Sequence, residues 1–301
     1  MNHVRRATLA CLISVATTGA IGCAAADDAD PESFSTASEA ISTKPLLPVG
    51  EVCKMEWVGK DPLGARTFYR TLFPKWTFFT PFEHQGRVFT PWEDGPGPGG
   101  DCYMPPDPLE MPPDPIDSAW RPHVRVAQLS AALSQAKSLG ASILLPTTPY
   151  GRNGDTFAVI KDPAGSVIGL WASPTAPDEG GELDVNAFYH MRLYTPDVAK
   201  SKSFYAALFP QWKWAAPVTI SGRVFVPWDG GPGPGGDIVK PTASEVAGWH
   251  GFVRVGQLET AIQTATRNGG RMVTPPTGHG TWGRYAMVTD PGHARIGLWE
   301  K

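Results

Sequence analysis

The chain repeats itself, and that repetition constrains its fold more than any other feature. Asp61-Pro62 introduces GARTFYRTLFPKW (from Gly64), and Asp197 introduces VAKSKSFYAALFPQW (from Val198). GRVFTPWEDGPGPGGD, Gly86 to Asp101, returns as GRVFVPWDGGPGPGGD, Gly222 to Asp237. WRPHVRVAQLSAAL from Trp120 is matched by WHGFVRVGQLETAI from Trp249, and Asp162-Pro163 with its IGLW by Asp290-Pro291 with a second IGLW. Matches in one order across such distances mark a duplicated unit, so the chain must use one structure twice. The units run over 51–174 and 185–301, and SPTAPDEGGE (from Ser173), polar and rich in turn residues, supplies a linker over 175–184.

Within each unit the hydrophobic period changes from two to 3.6 and back. Tyr189 to Thr195 alternates as a strand does, and Asp197 is a suitable cap for a helix carrying Phe204, Tyr205 and Leu208 on one face. His250 to Val255 alternates again, a helix follows over Leu258 to Arg267, and Asn268-Gly269-Gly270 stops it. Strands around Met272, from Arg284 to Val288 and from Arg295 to Trp299 complete the unit. The predicted architecture is α+β, with paired βαβββ modules in each unit.

With 301 residues, 42% of them hydrophobic, the chain can bury two ordinary cores. A formal net charge of -3 lacks the basic footprint that nucleic-acid binding needs, so DNA and RNA partners are not expected. Residues 1–23 differ in kind: Arg5 and Arg6 precede an apolar run, Ala7 to Ile21, too short and too rich in Ala, Thr and Ser for a membrane span and suited to a signal peptide. Gly22-Cys23 resembles the end of a bacterial lipobox, which would make Cys23 a lipidation site; ordinary cleavage after Ala24-Ala25-Ala26 is the alternative. Residues 24–50 have almost no large apolar side chain and read as a flexible tether. The chain is thus expected at the bacterial cell envelope, touching the membrane only through a lipid anchor, or else secreted or periplasmic.

The D-x6-FY-x2-LF helix, the strand-to-helix junction before Leu258, the P-x-x-x-G loop and the closing DP-x4-IGLW strand resemble those of the vicinal-oxygen-chelate superfamily, which holds glyoxalase I, extradiol dioxygenases and bleomycin resistance proteins. The resemblance implies tandem glyoxalase-like domains whose curved sheets form cups for a small molecule, often with a divalent metal held by the first, fifth and last strands. In the second unit those positions are His190, His250 and Gly297; in the first they are Lys54, Arg121 and Gly169. Two histidines without the carboxylate lack the anion that offsets the metal's charge, so the metal site is incomplete. No cofactor is required by the sequence, and a divalent metal is conceivable only in the second unit.

Strand alternation assigns the cup faces. In unit two it places His190, Arg192, Tyr194, His250, Phe252, Arg254, Arg284, Arg295 and Trp299 in the cup, with Met191, Leu193, Val253 and Val255 against the helices. In unit one it places Lys54, Glu56, Arg121, His123 and Arg125 there. The expected second cup is basic and aromatic, with no resident carboxylate, and suited to an anionic or aromatic ligand. GPGPGGD lacks the Lys-Ser/Thr of a P-loop and reads as a turn.

The first and fourth strands of a βαβββ module are neighbours, which would bring Cys53 and Cys102 within disulfide reach. The functional expectation is an exported protein binding a small molecule, as monomer or homodimer. The alternative is a metal-dependent lyase or dioxygenase using His190 and His250.

Overall fold

The computed structural model describes residues 49–84, 86–94, 99–105, 118–150, 154–174, 185–231 and 233–301. Expectations for the signal segment, Cys23, most of the tether and the 175–184 linker lie outside these residues.

In unit one, β1 (Val52–Gly59), α1 (Pro62–Leu72), β2 (Thr77–Phe78), β3 (Phe82–His84), β4 (Arg87–Glu93) and β5 (Gly100–Tyr103) form a first module. A second consists of β6 (Ser118–Arg125), α2 (Leu129–Ser138), β7 (Ser142–Tyr150), β8 (Asp155–Lys161) and β9 (Val167–Ala172). Unit two repeats the plan with β10 (Phe188–Tyr194), α3 (Val198–Leu208), β11 (Lys213–Trp214), β12 (Val218–Ile220), β13 (Arg223–Asp229) and β14 (Gly236–Val239). Its second module holds β15 (Gly248–Arg254), α4 (Leu258–Arg267), β16 (Arg271–Gly278), β17 (Arg284–Thr289) and β18 (Arg295–Glu300).

Each unit is a nine-stranded sheet, ordered β2-β4-β5-β1-β6-β9-β8-β7 with β3 on β4, and β11-β13-β14-β10-β15-β18-β17-β16 with β12 on β13. Two features place the sites. The opening strands of the two modules pair antiparallel at the centre, β1 with β6 and β10 with β15. Each module's last strand lies parallel beside its first, β5 on β1 and β14 on β10. The outer strands β7 and β16 carry Pro146 and Pro149, and Pro275 and Pro276, which deprive an open edge of donors and so discourage further pairing.

The helices start where the sequence says. Asp61 accepts from Gly64 N (2.8 Å) and Asp197 from Lys200 N (3.0 Å), each satisfying a first-turn donor. Gly269, with φ +91, follows α4 in the left-handed region.

One core runs through both units. Met55, Trp57, Phe68 and Tyr69 share it with Met191, Leu193, Phe204 and Tyr205, so the helix-facing sides of the two sheets are buried in common. Polar latches cross it in matching pairs. Trp57 Nε1 and Tyr69 Oη donate to Asp290 Oδ2 (2.7 and 3.0 Å), while Tyr205 Oη donates to Asp162 Oδ2 (2.8 Å). Trp76 Nε1 donates to Asn186 O and Trp212 Nε1 to Gly50 O, both at 2.6 Å. The DP aspartates of the repeat therefore each anchor the opposite unit. Indole pairs stack ahead of each GPGPGG turn, Trp76 on Trp92 at 4.2 Å and Trp212 on Trp228 at 3.9 Å. Among the described residues no helix is long and apolar enough to cross a membrane.

The expected disulfide does not form: Cys53 and Cys102 are both free thiols. The parallel register puts Cys102 beside Trp57, four residues past Cys53 on β1 and so about 13 Å from it. A bulge between Val52 and Lys54 also turns Cys53 onto the cup side, among Leu145, Phe157, Val159 and Trp171, while Cys102 faces the shared core. Strand adjacency was read correctly from the module plan, but it says nothing of offset along the strands. Burial pushes the Cys53 thiol up to about 12, which makes it inert.

Candidate functional site

The second cup is floored by β10, β14 and β15 and walled by β17 and β18. Alternation turns His190, Arg192 and Tyr194 of β10 inward, and the parallel register sets Asp237 of β14 next to Arg192. Arg192 grips that carboxylate with two parallel bonds, Nε to Oδ1 at 2.6 Å and Nη2 to Oδ2 at 2.8 Å. His190 Nε2 lies 3.0 Å from Oδ2, and His279 Nε2 3.4 Å from Arg192 Nη2. The guanidinium sits among Tyr285, Phe225 and Phe252, at 4.7, 4.9 and 5.1 Å from their ring centres. Fixing it this way combines a charge-assisted fork with cation–π contacts.

Burial alone would raise the Asp237 carboxyl, but Arg192 and then His190 hold it well below the usual carboxylate range. Burial depresses His190, and Asp237 offsets this only in part, so the ring is neutral at pH 7. Cation and anion cancel. This pair at the centre of the cup is neutral rather than basic, and the expectation of a cup without a carboxylate is overturned by Asp237. That residue ends GPGPGGD, a loop that reads as a turn; the usable signal was its last residue, which strand order carries to the first strand's side.

Solvent reaches this cluster at one point. The His190 side chain is 16% exposed, against 2% for Asp237 and 0% for Arg192. Around it Tyr189, Val218, Ile220 and Val273 are partly buried against the aromatic floor of Phe252, Tyr285 and Trp299. Tyr189 occupies the bulge of β10, where Cys53 sits in β1. The Arg254 guanidinium lies over the Tyr189 ring at 5.9 Å.

Of the sequence-assigned cup residues, Arg284 is misplaced. Its Nη2 donates to Glu259 of α4 (2.8 Å) and its Nε to Glu300, so it lies on the helix side, and Tyr285 and Met287 take the cup face of β17. Either half of RYAMV is apolar enough for the cup, and the two acids decide the matter. Arg295 is half-buried at the far end, bonding Ser244 O at 3.3 Å.

The metal site that the fold implies does not fit these residues. Arg192, not His190, faces His250 across β15. His250 turns its Nε2 to Val246 O (3.0 Å) and packs on Tyr194, and burial lowers it to about 4. At the third position a Cβ on Gly297 would lie 2.0 Å from the Phe252 ring. His190 turns its Nε2 to Asp237 and His250 to Val246 O, with the paired guanidinium of Arg192 beside them, so the two rings do not converge on one ion. Among the described residues no three His, Cys, Asp or Glu side chains form a metal-holding group.

The first cup has the same frame with different partners. Glu56 accepts from Arg121 Nε (2.8 Å) and from His123 Nε2 (2.9 Å), and Arg121 also donates to Tyr103 Oη (2.8 Å). Asp101, the counterpart of Asp237, pairs with Lys54 and accepts from Tyr150 Oη at 2.8 and 2.9 Å. Burial would raise Glu56, but Arg121 and His123 hold it well below its ordinary value. Glu56, Arg121 and Arg125 face the cup as alternation requires. The first two are nonetheless spent on each other, and Arg125 donates to Ser173 O at 3.3 Å.

Residues 187–298 match the family model of the Glyoxalase/Bleomycin resistance protein/Dioxygenase superfamily. Over 237 residues the chain is 25% identical to "Putative glyoxylase CFP32" of Mycobacterium tuberculosis, covering 77% of this chain and 87% of that protein. Among solved structures it is similar to the 2,3-dioxygenase LapB from Pseudomonas sp. KL28, with TM-score 0.58 and 15% identity over 84% of this chain and 93% of that one. It is also similar to 2,2',3-trihydroxybiphenyl 1,2-dioxygenase from Sphingomonas wittichii, with TM-score 0.55 and 15% identity over 84% and 91%. Residues 187–298 thus match this superfamily by sequence, and both units have the fold of these solved structures.

Proposed function

We propose that this glyoxalase-fold chain is an exported, metal-independent binding protein that takes a small, flat, largely apolar molecule at the mouth of its second cup. The observation that carries this reading is the Phe252 ring, which fills the space a metal ligand at position 297 would need. The neutral Arg192–Asp237 pair beneath it favours an uncharged or aromatic guest over a free anion, because an anion would lose hydration without gaining a net opposite charge. Tyr189, Val218, Ile220 and Val273, partly buried on the floor of Phe252 and Trp299, supply the faces, and Arg254 lies over the Tyr189 ring. Lipidation at Cys23 would hold the protein at the envelope; Cys23→Ser should then release it, and unchanged membrane association would count against the anchor.

Two measurements test the binding reading. Protein prepared without chelator should carry well below one equivalent of zinc or iron. Calorimetric titration should show 4-nitroanisole, neutral and flat, binding more tightly than 4-nitrobenzoate. Stoichiometric metal lost together with His190 would return the protein to the metal-dependent lyase or dioxygenase class.

A further inference from the structure

His190 spends one ring nitrogen inside the protein and keeps the other for the mouth of the cup. Nε2 faces the ionised Asp237 at 3.0 Å and so carries the proton, which leaves a lone pair on Nδ1. Nδ1 is not among the buried polar atoms that lack a partner, and the side chain is the part of the cluster that solvent reaches. The ring is held by Trp299 at 4.8 Å and Phe252 at 5.7 Å, and His279 is 6.5 Å away. Behind it Arg192 fixes both oxygens of Asp237. A histidine whose inner nitrogen is oriented by a locked carboxylate and whose outer nitrogen faces a binding surface has the arrangement of a general base.

We propose that His190 is a metal-independent general base for a flat, neutral molecule bearing one weakly acidic O–H or N–H group. Nδ1 takes that proton: the O–H or N–H bond breaks, its electron pair stays on the oxygen or nitrogen, and an N–H bond forms on the imidazole. The resulting imidazolium is paired with Asp237, so the cup gains an anion in the guest and a cation in the ring and keeps its net charge. Arg192 is a positioning residue, because it touches Asp237 and not the guest. The first cup cannot do this: its matching residue is Lys54, an ammonium already paired with Asp101, which has no lone pair to offer.

The inference rests on the binding reading above, and 4-nitrophenol separates the two, since its phenol and phenolate absorb at different wavelengths. At a pH where the free probe is mostly phenol, the bound probe should show a larger phenolate fraction than the free probe at the same pH. Compared at equal occupancy, His190→Gln should lose this added phenolate band, and Lys54→Ala should keep it. Saturable binding of both probes with 4-nitrophenol left neutral overturns the base and spares the binding site. A phenolate band that survives His190→Gln also overturns the base. No saturable binding of either probe overturns both.

Discussion

On the first strand of unit one stand Lys54 and Glu56; at the same places in unit two stand His190 and Arg192. Across the sheet Arg121 and His123 become His250 and Phe252. Only the aspartate that ends the repeated loop keeps its identity and its job, pairing with Lys54 as Asp101 and with Arg192 and His190 as Asp237. Around these positions unit one pairs Glu56 with Arg121 and Asp101 with Lys54, and unit two pairs Asp237 with Arg192. What survives duplication is electrical balance rather than a set of residues, as expected where an unpaired buried charge costs more than the pair contributes. The difference that matters for function is that balance in unit two is reached with a neutral histidine at the mouth.

The strongest way to break this comparison is to remove the shared acid. Asp237→Ala strands a guanidinium that cannot shed its proton and should cost about 3–5 kcal/mol in urea unfolding. Asp101→Ala should cost clearly less, because Lys54, 9% exposed, can turn its ammonium toward water. Equal losses would mean that Arg192 has a route to water and that the cups are not wired differently.

The next largest effect probes the strand position left as glycine. A Cβ at Gly297 would meet the Phe252 ring at 2.0 Å and one at Gly169 the His123 ring at 2.2 Å, so each Gly→Ala should destabilise by about 1–3 kcal/mol. Adding Phe252→Leu should recover part of the Gly297→Ala loss. Adding His123→Ala to Gly169→Ala should deepen it, because Glu56 loses a donor. Recovery in both units would show that ring bulk alone matters in cup one.

Acid sharpens the contrast further. Burial lowers His250 to about 4 and also lowers His190 and His123, so the unfolded chain binds more protons than the native one below about pH 6.5. Stability is therefore complete above that pH and falls toward pH 4, by up to about 1.4 kcal/mol per pH unit for each histidine. His250→Gln should flatten the thermal-melt profile in that window. An unchanged slope would mean His250 is protonated in the fold. The smallest effect belongs to Arg284, half-exposed with Glu259 and Glu300: Arg284→Ala should leave probe binding unchanged and move the melting point least. A loss of binding would return it to the cup.

Much of the fold was legible because it rests on local or repeated signals. Alternation assigned the faces of β1, β6, β10, β15 and β18, and Asp197 marked a helix start that its repeat counterpart Asp61 shares. Alternation failed at β17, where both faces of RYAMV are apolar enough to be inner, and at Cys53 and Tyr189, where a bulge breaks the period. The candidate site was half legible: His190, Arg192, Phe252 and Trp299 were placed, whereas Asp237 lay hidden at the end of a turn motif.

The amino-acid order by itself determined that one βαβββ plan is used four times and which side of most strands is inner, because these follow from periods of two and 3.6 along the chain. Tertiary structure alone decided that Asp237 rather than a metal meets Arg192 and His190. It also decided that Phe252 fills the space beside Gly297, that the two thiols stay apart, and that Asp162 and Asp290 lock the opposite unit. These depend on lateral register, bulges and the packing of one sheet on another. Such offsets join residues far apart in sequence, and no local period encodes them.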